Sequence, residues 1–246
     1  MIDHLGGIRT TRLVDVVFPG DTNHHGTLFG GVGLACMDKV AFIAAARHAH
    51  VSFVTASCER VDFKAPANLG DIIEFSGRVC RVGRRSLSTE VEMVAEEALS
   101  GRRRLCGRSI FNMVAVGADR DMRLPRLSGE CREEPADLRM VELVFPEQTS
   151  HYGSLYGGTA LGAMAKAAFI AATRHCRRSV VLASVQRVDL ASQIDKGEVM
   201  ELVPRVIKTG QRSITVEVEL WSENLVSGCR QQCGTGTLVM VALESP

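Results

Sequence analysis

The chain has 246 residues, with 29 Lys and Arg against 28 Asp and Glu and a net charge of +1 at pH 7. That balance gives no electrostatic footprint for nucleic acid or an anionic membrane surface, and no run reaches the roughly 18 apolar residues of a membrane span. The amino terminus, MIDHLGGIRTTR, lacks the basic and apolar regions of a secretory signal, so a cytoplasmic globular protein is expected.

Leu13–Phe18 is a short apolar segment that runs into the turn-rich stretch PGDTNHHGTLFGG. VGLACMDKVAFIAAARH (32–48) follows. Its residues are good helix formers, bounded by Gly31 and ended by Arg47, His48 and His50, basic groups that suit a helix C-terminus. It is apolar on nearly every face, which predicts burial almost all round. After it the period changes from 3.6 towards 2. Phe53–Phe63 alternates, PANLGD (66–71) is a turn, Ile72–Val82 and Ser86–Glu96 are joined by VGRR, and Leu105–Val116 closes the segment. Strand, buried helix and then four strands predict an α+β unit, an antiparallel sheet wrapped around one long helix.

That unit is written twice. Sliding the chain by 127 residues lays Leu13–Val116 over Met140–Leu243 without a gap, with about 46 of roughly 104 positions identical. VFPGDTNHHGTLFGG lies over VFPEQTSHYGSLYGG, and AFIAAARH over AFIAATRH. Residues 117–139 are rich in Asp, Glu and Arg, with Pro125 and Pro135, and read as a solvated linker between units 1–116 and 140–246. Free sheet edges are expected to close by the two copies pairing side by side.

One residue stands out in the helix. Between Gly31 and Ala46 the only charges are Asp38 and Lys39, and a carboxylate in a buried helix is costly unless paired, hydrogen-bonded or used. The second copy keeps the lysine as Lys166 but has Ala165 in place of the acid, so the lysine does not require it. Both lysines are expected to reach solvent. Asp38 either satisfies a turn or backbone amide of the partner copy or is a candidate general base in a dry crevice. Eight residues before it stands the pair Gly30–Gly31. Glycines at a helix start let backbone amides approach a developing oxyanion.

The run D-T-N-x-x-G-x-x-F-G-G-x(6)-D at 21–38, with T-A-S (55–57), V-D-F-x-x-P (61–66) and G-R-x-S (83–86), resembles the hotdog-fold acyl-CoA thioesterases, and the tandem arrangement resembles the two-hotdog acyl-CoA hydrolases. The resemblance implies active sites between hotdogs, each mixing an acid from one helix with the loop and helix start of the other. Asp38 then matches the catalytic acid. Gly30 and Gly31, with Gly157 and Gly158, match the oxyanion-binding helix start, and Asn23 or Thr27 (Ser154 in the second copy) matches the polar loop residue. One site combines Asp38 with Ser150, His151, Ser154 and Gly157; the other faces Ala165 and has no base. Arg84, Arg85 and Ser86, partly repeated as Arg212 and Ser213, are candidate contacts for coenzyme A phosphates, and Thr55 and Ser57 for the pantetheine arm. No cofactor or metal is expected; His24, His25 and His151 read as loop histidines. The expected partners are an acyl-CoA substrate and further copies of the chain, and a trimer of double hotdogs fits the family. The competing readings are a non-catalytic acyl-CoA binding protein and a hotdog dehydratase using His151.

Overall fold

A computed structural model describes residues 10–117, 122–127 and 138–243. The first half runs β1 (Thr11–Val16), a 3-10 turn at Pro19–Asp21, α1 (Gly30–Ala49), β2 (Phe53–Cys58), β3 (Ile72–Val82), β4 (Ser86–Glu96) and β5 (Arg103–Ala115). The second repeats it: β6 (Met140–Leu143), a 3-10 turn at Pro146–Gln148, α2 (Gly157–Cys176), β7 (Val180–Leu190), β8 (Val199–Thr209), β9 (Ser213–Glu223) and β10 (Arg230–Ala242). Each half is an antiparallel sheet, ordered β1-β3-β4-β5-β2 and β6-β8-β9-β10-β7, curled round its helix.

Local sequence accounts for these elements. In β9, Ile214, Val216, Val218 and Leu220 are buried while Glu217 and Glu219 alternate outward, the period of a half-buried strand. Along α1, Met37, Val40, Ile43 and Ala44 are buried against the sheet. Contact is close because Gly77 lies beneath Val40: a Cβ there would stand 2.6 Å from Val40 Cγ1.

The halves meet through β1 and β6, and several of their contacts recur 127 residues on. Lys166 Nζ lies 2.9 Å from Asp15, and Lys39 Nζ 3.9 Å from Glu142. Arg47 grips Glu223 at 2.5 Å and Arg174 grips Glu96 at 2.8 Å. Both helices end on a left-handed residue that is not glycine, His50 and Arg177. Their side chains reach across to Leu225 O at 3.0 Å and Ala98 O at 3.4 Å. Burial works against the Glu96 charge, but bonds from Arg177 and Arg174 outweigh it and hold the carboxyl below its usual range. For Lys166, burial is likewise outweighed, by Asp15, and the ammonium is held above its usual value.

Four expectations change. The sheets do not join edge to edge within the chain: β2 and β7 each have one neighbour and a free outer edge, because packing against β6 uses the β1 side. The lysines turn to carboxylates of the opposite half rather than to solvent. The helices are not buried all round, since Gly31, Ala35, Leu161 and Gly162 are exposed. And β2 stops at Cys58 rather than Phe63; beyond it the backbone bonds β5 through Glu59 N to Ile110 O and Lys64 N to Cys106 O, too sparsely for a ladder. Most of 117–139 lies outside the described residues, but Leu124 is buried in the first core and its amide bonds Arg84 O at 3.0 Å, so that stretch is not wholly solvated. Cys131 also lies outside the described residues; the other seven cysteines are free.

Candidate active site

Asp38 lies in the third turn of α1, two residues beyond Cys36 and so about 200° round the helix from it. Cys36 and Lys39 line the pocket between the halves, with Asp15, Glu142, Ala163 and Lys166; burial there pushes the Cys36 thiol above its usual range. Asp38 points elsewhere, towards β2, where the Thr55 hydroxyl donates a 2.5 Å hydrogen bond to Oδ1. In the single chain the carboxylate is half-buried, not in the dry crevice expected, because nothing among the described residues covers that face of α1.

A bulge in β2 between Thr55 and Ser57 separates two residues expected to act together. Thr55 pairs with Met113 and faces the helix; Ser57 accepts a 3.1 Å bond from Asn112 Nδ2 on the outer face. The repeat makes the Thr55–Asp38 pair more informative. Met240 pairs with Leu182 as Met113 pairs with Thr55, so acid and hydroxyl give way together to Ala165 and Leu182. Sequence reasoning noted Ala165 and missed Leu182; the same alignment carried the signal.

The loop before α1 is held by its own side chains. Asn23 Oδ1 accepts from the His25 amide at 2.8 Å, and Asn23 Nδ2 donates to Thr27 Oγ1 at 3.0 Å. In the second half Ser150 keeps one such bond, from the Tyr152 amide at 3.3 Å, and Ser154 is buried. The first amides of each helix fall outside its i→i−4 ladder. A Cβ on Gly31 or Gly158 would meet the Phe29 or Tyr156 ring at 2.6 Å, whereas at Gly30 or Gly157 it would meet only ordinary contacts. A side chain on the second glycine of each pair would thus have to displace an exposed ring, Phe29 or Tyr156, whereas one on the first would not.

Beside Gly30 a cleft of about 320 Å³ is lined by Thr27, Leu28, Phe63, Pro66 and Met93; the first four fall within the sequence motifs and Met93 within the strand read at 86–96, but the sequence did not bring them into one cavity. The Arg84–Ser86 turn lies at the same end of the sheet as Thr55: Ser86 pairs with Val114, which pairs with Val54, about 10 Å across two strand spacings. Arg212 and Ser213 hold the equivalent place beside Val241 and Val181. Among the described residues no three His, Cys, Asp or Glu side chains gather as a metal site. The His24 and His25 ring centroids lie 3.8 Å apart with their planes tilted by 44°.

A family model described as the thioesterase superfamily matches residues 25–101 and again 152–229, once in each half. The chain belongs to the thioesterase superfamily. It is a thioester hydrolase by class, built as two tandem hotdog units. A crystal structure of an acyl-CoA hydrolase from Agrobacterium tumefaciens is 51% identical, with a TM-score of 0.89 over 98% of this chain and 97% of that one. An acyl-CoA thioester hydrolase of Bacillus subtilis (strain 168) is 37% identical over 128 residues, 52% of this chain and 72% of the relative. The cytosolic acyl coenzyme A thioester hydrolase of Rattus norvegicus is 22% identical over 88% of this chain and 69% of its own length. No helix of the described residues is long and apolar enough to cross a membrane.

Proposed function

We propose that the protein hydrolyses acyl-CoA thioesters to a carboxylic acid and coenzyme A, with one acid-containing site per chain, in units 1–116 and 140–246 joined by 117–139. The observation that carries this reading is the Asp38 carboxylate, bonded by Thr55 on an uncovered helix face. Water attacks the thioester carbonyl carbon while Asp38 takes its proton; collapse of the tetrahedral oxyanion breaks the C–S bond and the thiolate leaves with that proton. The Gly157 and Gly158 amides hold the oxyanion, with Ser154 beside the carbonyl. Asn23, Thr27, Gly30 and Gly31 form the matching loop and helix start opposite Ala165, where no base stands. Arg84, Arg85 and Ser86 serve the coenzyme A phosphates, with Arg212 and Ser213 as their repeat. Ser57, on the outer face, is left out of the set. The names of the relatives support the substrate class, and the rat relative's name supports a cytosolic setting.

The test is thiol release from short, medium and long acyl-CoAs, followed with a chromogenic thiol reagent, for wild type against Asp38→Ala. Release abolished by that change supports the reading; equal release rejects the assignment of Asp38. In single turnover in 18O-labelled water, label in the Asp38 carboxylate marks direct attack on the thioester, followed by water opening the mixed anhydride at the Asp38 carbonyl carbon. Tight binding without release would favour a non-catalytic binding protein, a role that the acid-free second half already suits.

A further inference from the structure

We infer that the stretch 122–127, between the two units, is part of the coenzyme A site: Arg123 and Arg126 join Arg84 and Arg85 in holding the phosphates of the substrate. The inference rests on the proposed hydrolysis and adds how the nucleotide end of the substrate is held.

That stretch is a strap rather than a free tether. Leu124 is buried in the first core, with Met122 and Leu127 packed against it, while Arg123 and Arg126 are exposed. Two bonds fix its course. The Leu124 amide donates to Arg84 O at 3.0 Å, and Pro125 O lies 2.8 Å from His48 Nε2 at the end of α1. The turn it crosses is itself tied to β5, by Ala115 N to Arg85 O at 2.9 Å. Such a backbone bond sets the strap and the turn about one strand spacing apart, roughly 5 Å. Four arginines therefore line one end of the first unit, and arginine is the sole charged residue type within 122–127. A guanidinium stays ionised and its planar fork matches phosphate oxygens, properties that a tether does not need.

Length and the repeat both point to coenzyme A. From Asp38 to His48, where the strap is anchored, α1 advances about 15 Å at 1.5 Å per residue. The arm of coenzyme A from sulfur to the first phosphorus has roughly thirteen bonds, an extended span of about 15 Å at the reach per bond of a polypeptide. A thioester carbonyl at Asp38 can thus set its phosphates at the strap. In the acid-free half Gln211 replaces Arg84, and among the described residues no backbone amide is bonded to Gln211 O. His175, the counterpart of His48, bonds Thr209 of its own unit at 3.0 Å. The first unit has Val82 in the Thr209 position, with no hydroxyl to offer, and His48 turns to the strap instead. Asp38 and the denser basic surface occur in the same half.

The experiment compares wild type with the double variant Arg123→Ala and Arg126→Ala, which alters exposed side chains and leaves Leu124 and Pro125 in place. With acyl-CoA, KM is expected to rise at least about tenfold with little change in kcat, the loss expected when charge-assisted bonds to phosphate are removed. With the acyl thioester of N-acetylcysteamine, which keeps the reacting carbonyl and has no phosphate, the two proteins should show the same kcat/KM. Titration calorimetry with free coenzyme A reads the contact without hydrolysis: affinity is expected to fall at least about tenfold and to depend less on salt. Arg123→Lys with Arg126→Lys should recover part of it, since an ammonium brings the charge without the fork. Equal affinity of wild type and the alanine variant for coenzyme A overturns the inference, as does an equal loss towards the N-acetylcysteamine thioester. Tight binding of coenzyme A by wild type and weak binding by the variant, with no thiol released by either, counts against the hydrolysis alone.

Discussion

Thr55 holds Asp38 by a 2.5 Å hydrogen bond across the gap between β2 and α1, and in the second half both members of the pair are apolar, Leu182 and Ala165. An edge-strand hydroxyl thus fixes the orientation of the acid, and the loss of one residue accompanies the loss of the other. Asp38→Asn is expected to lower turnover at least about a hundredfold. Thr55→Val leaves the acid but frees it to rotate. A hydrogen bond to a charged group is worth about 1.5–3 kcal/mol, so a loss of about tenfold or more is expected, with Thr55→Ser largely restoring the rate. Thiol-release kinetics with a thermal melt on each variant separate this from misfolding.

Rebuilding the pair in the second half should create a second acid site. Ala165→Asp with Leu182→Thr is expected to raise turnover per chain up to about twofold, since Gly30, Gly31 and Thr27 already offer a helix start and loop. Ala165→Asp alone places an unbonded carboxylate beside Leu182 and should melt earlier than the double variant. Equal rates for double variant and wild type would remove the second pseudo-site from consideration.

Glu96 ties the halves together, accepting from Arg174 at 2.8 Å and Arg177 at 2.7 Å. Glu96→Gln is expected to cost about 2 kcal/mol, less than a fully buried pair because the arginines stay partly wet. The carboxyl is held below its usual range, so its stabilisation is complete above the unfolded value near 4.3 and is lost as pH falls through the lower folded value. Lys166 has the opposite sign: its raised value gives stabilisation that is complete below about 10.4 and is lost as pH rises through the folded value. Urea midpoints against pH should fall at both ends, with the acid limb flattened in Glu96→Gln.

Gly77 admits the helix, since a Cβ would stand 2.6 Å from Val40 Cγ1. Gly77→Val is expected to cost about 1–3 kcal/mol through overpacking. Val40→Ala in the same chain should recover part of it, read as a shift in the urea midpoint.

The sequence by itself determined the repeat, the class of each element and the odd position of Asp38. β3 and β4 come out with the bounds 72–82 and 86–96 read from alternation, because side-chain period and turn residues are local properties of the chain. The helix was equally legible, although its alanine-rich, uniformly apolar surface concealed which side stays open. Only the tertiary structure decided which edges the two sheets bury against each other, where Lys39 and Lys166 point, and that Thr55 and Ser57 part at a bulge. Two similar units can meet by either edge of their sheets, and the choice lies in contacts more than a hundred residues apart, such as Arg47 with Glu223. That choice turns the Asp38 face outward.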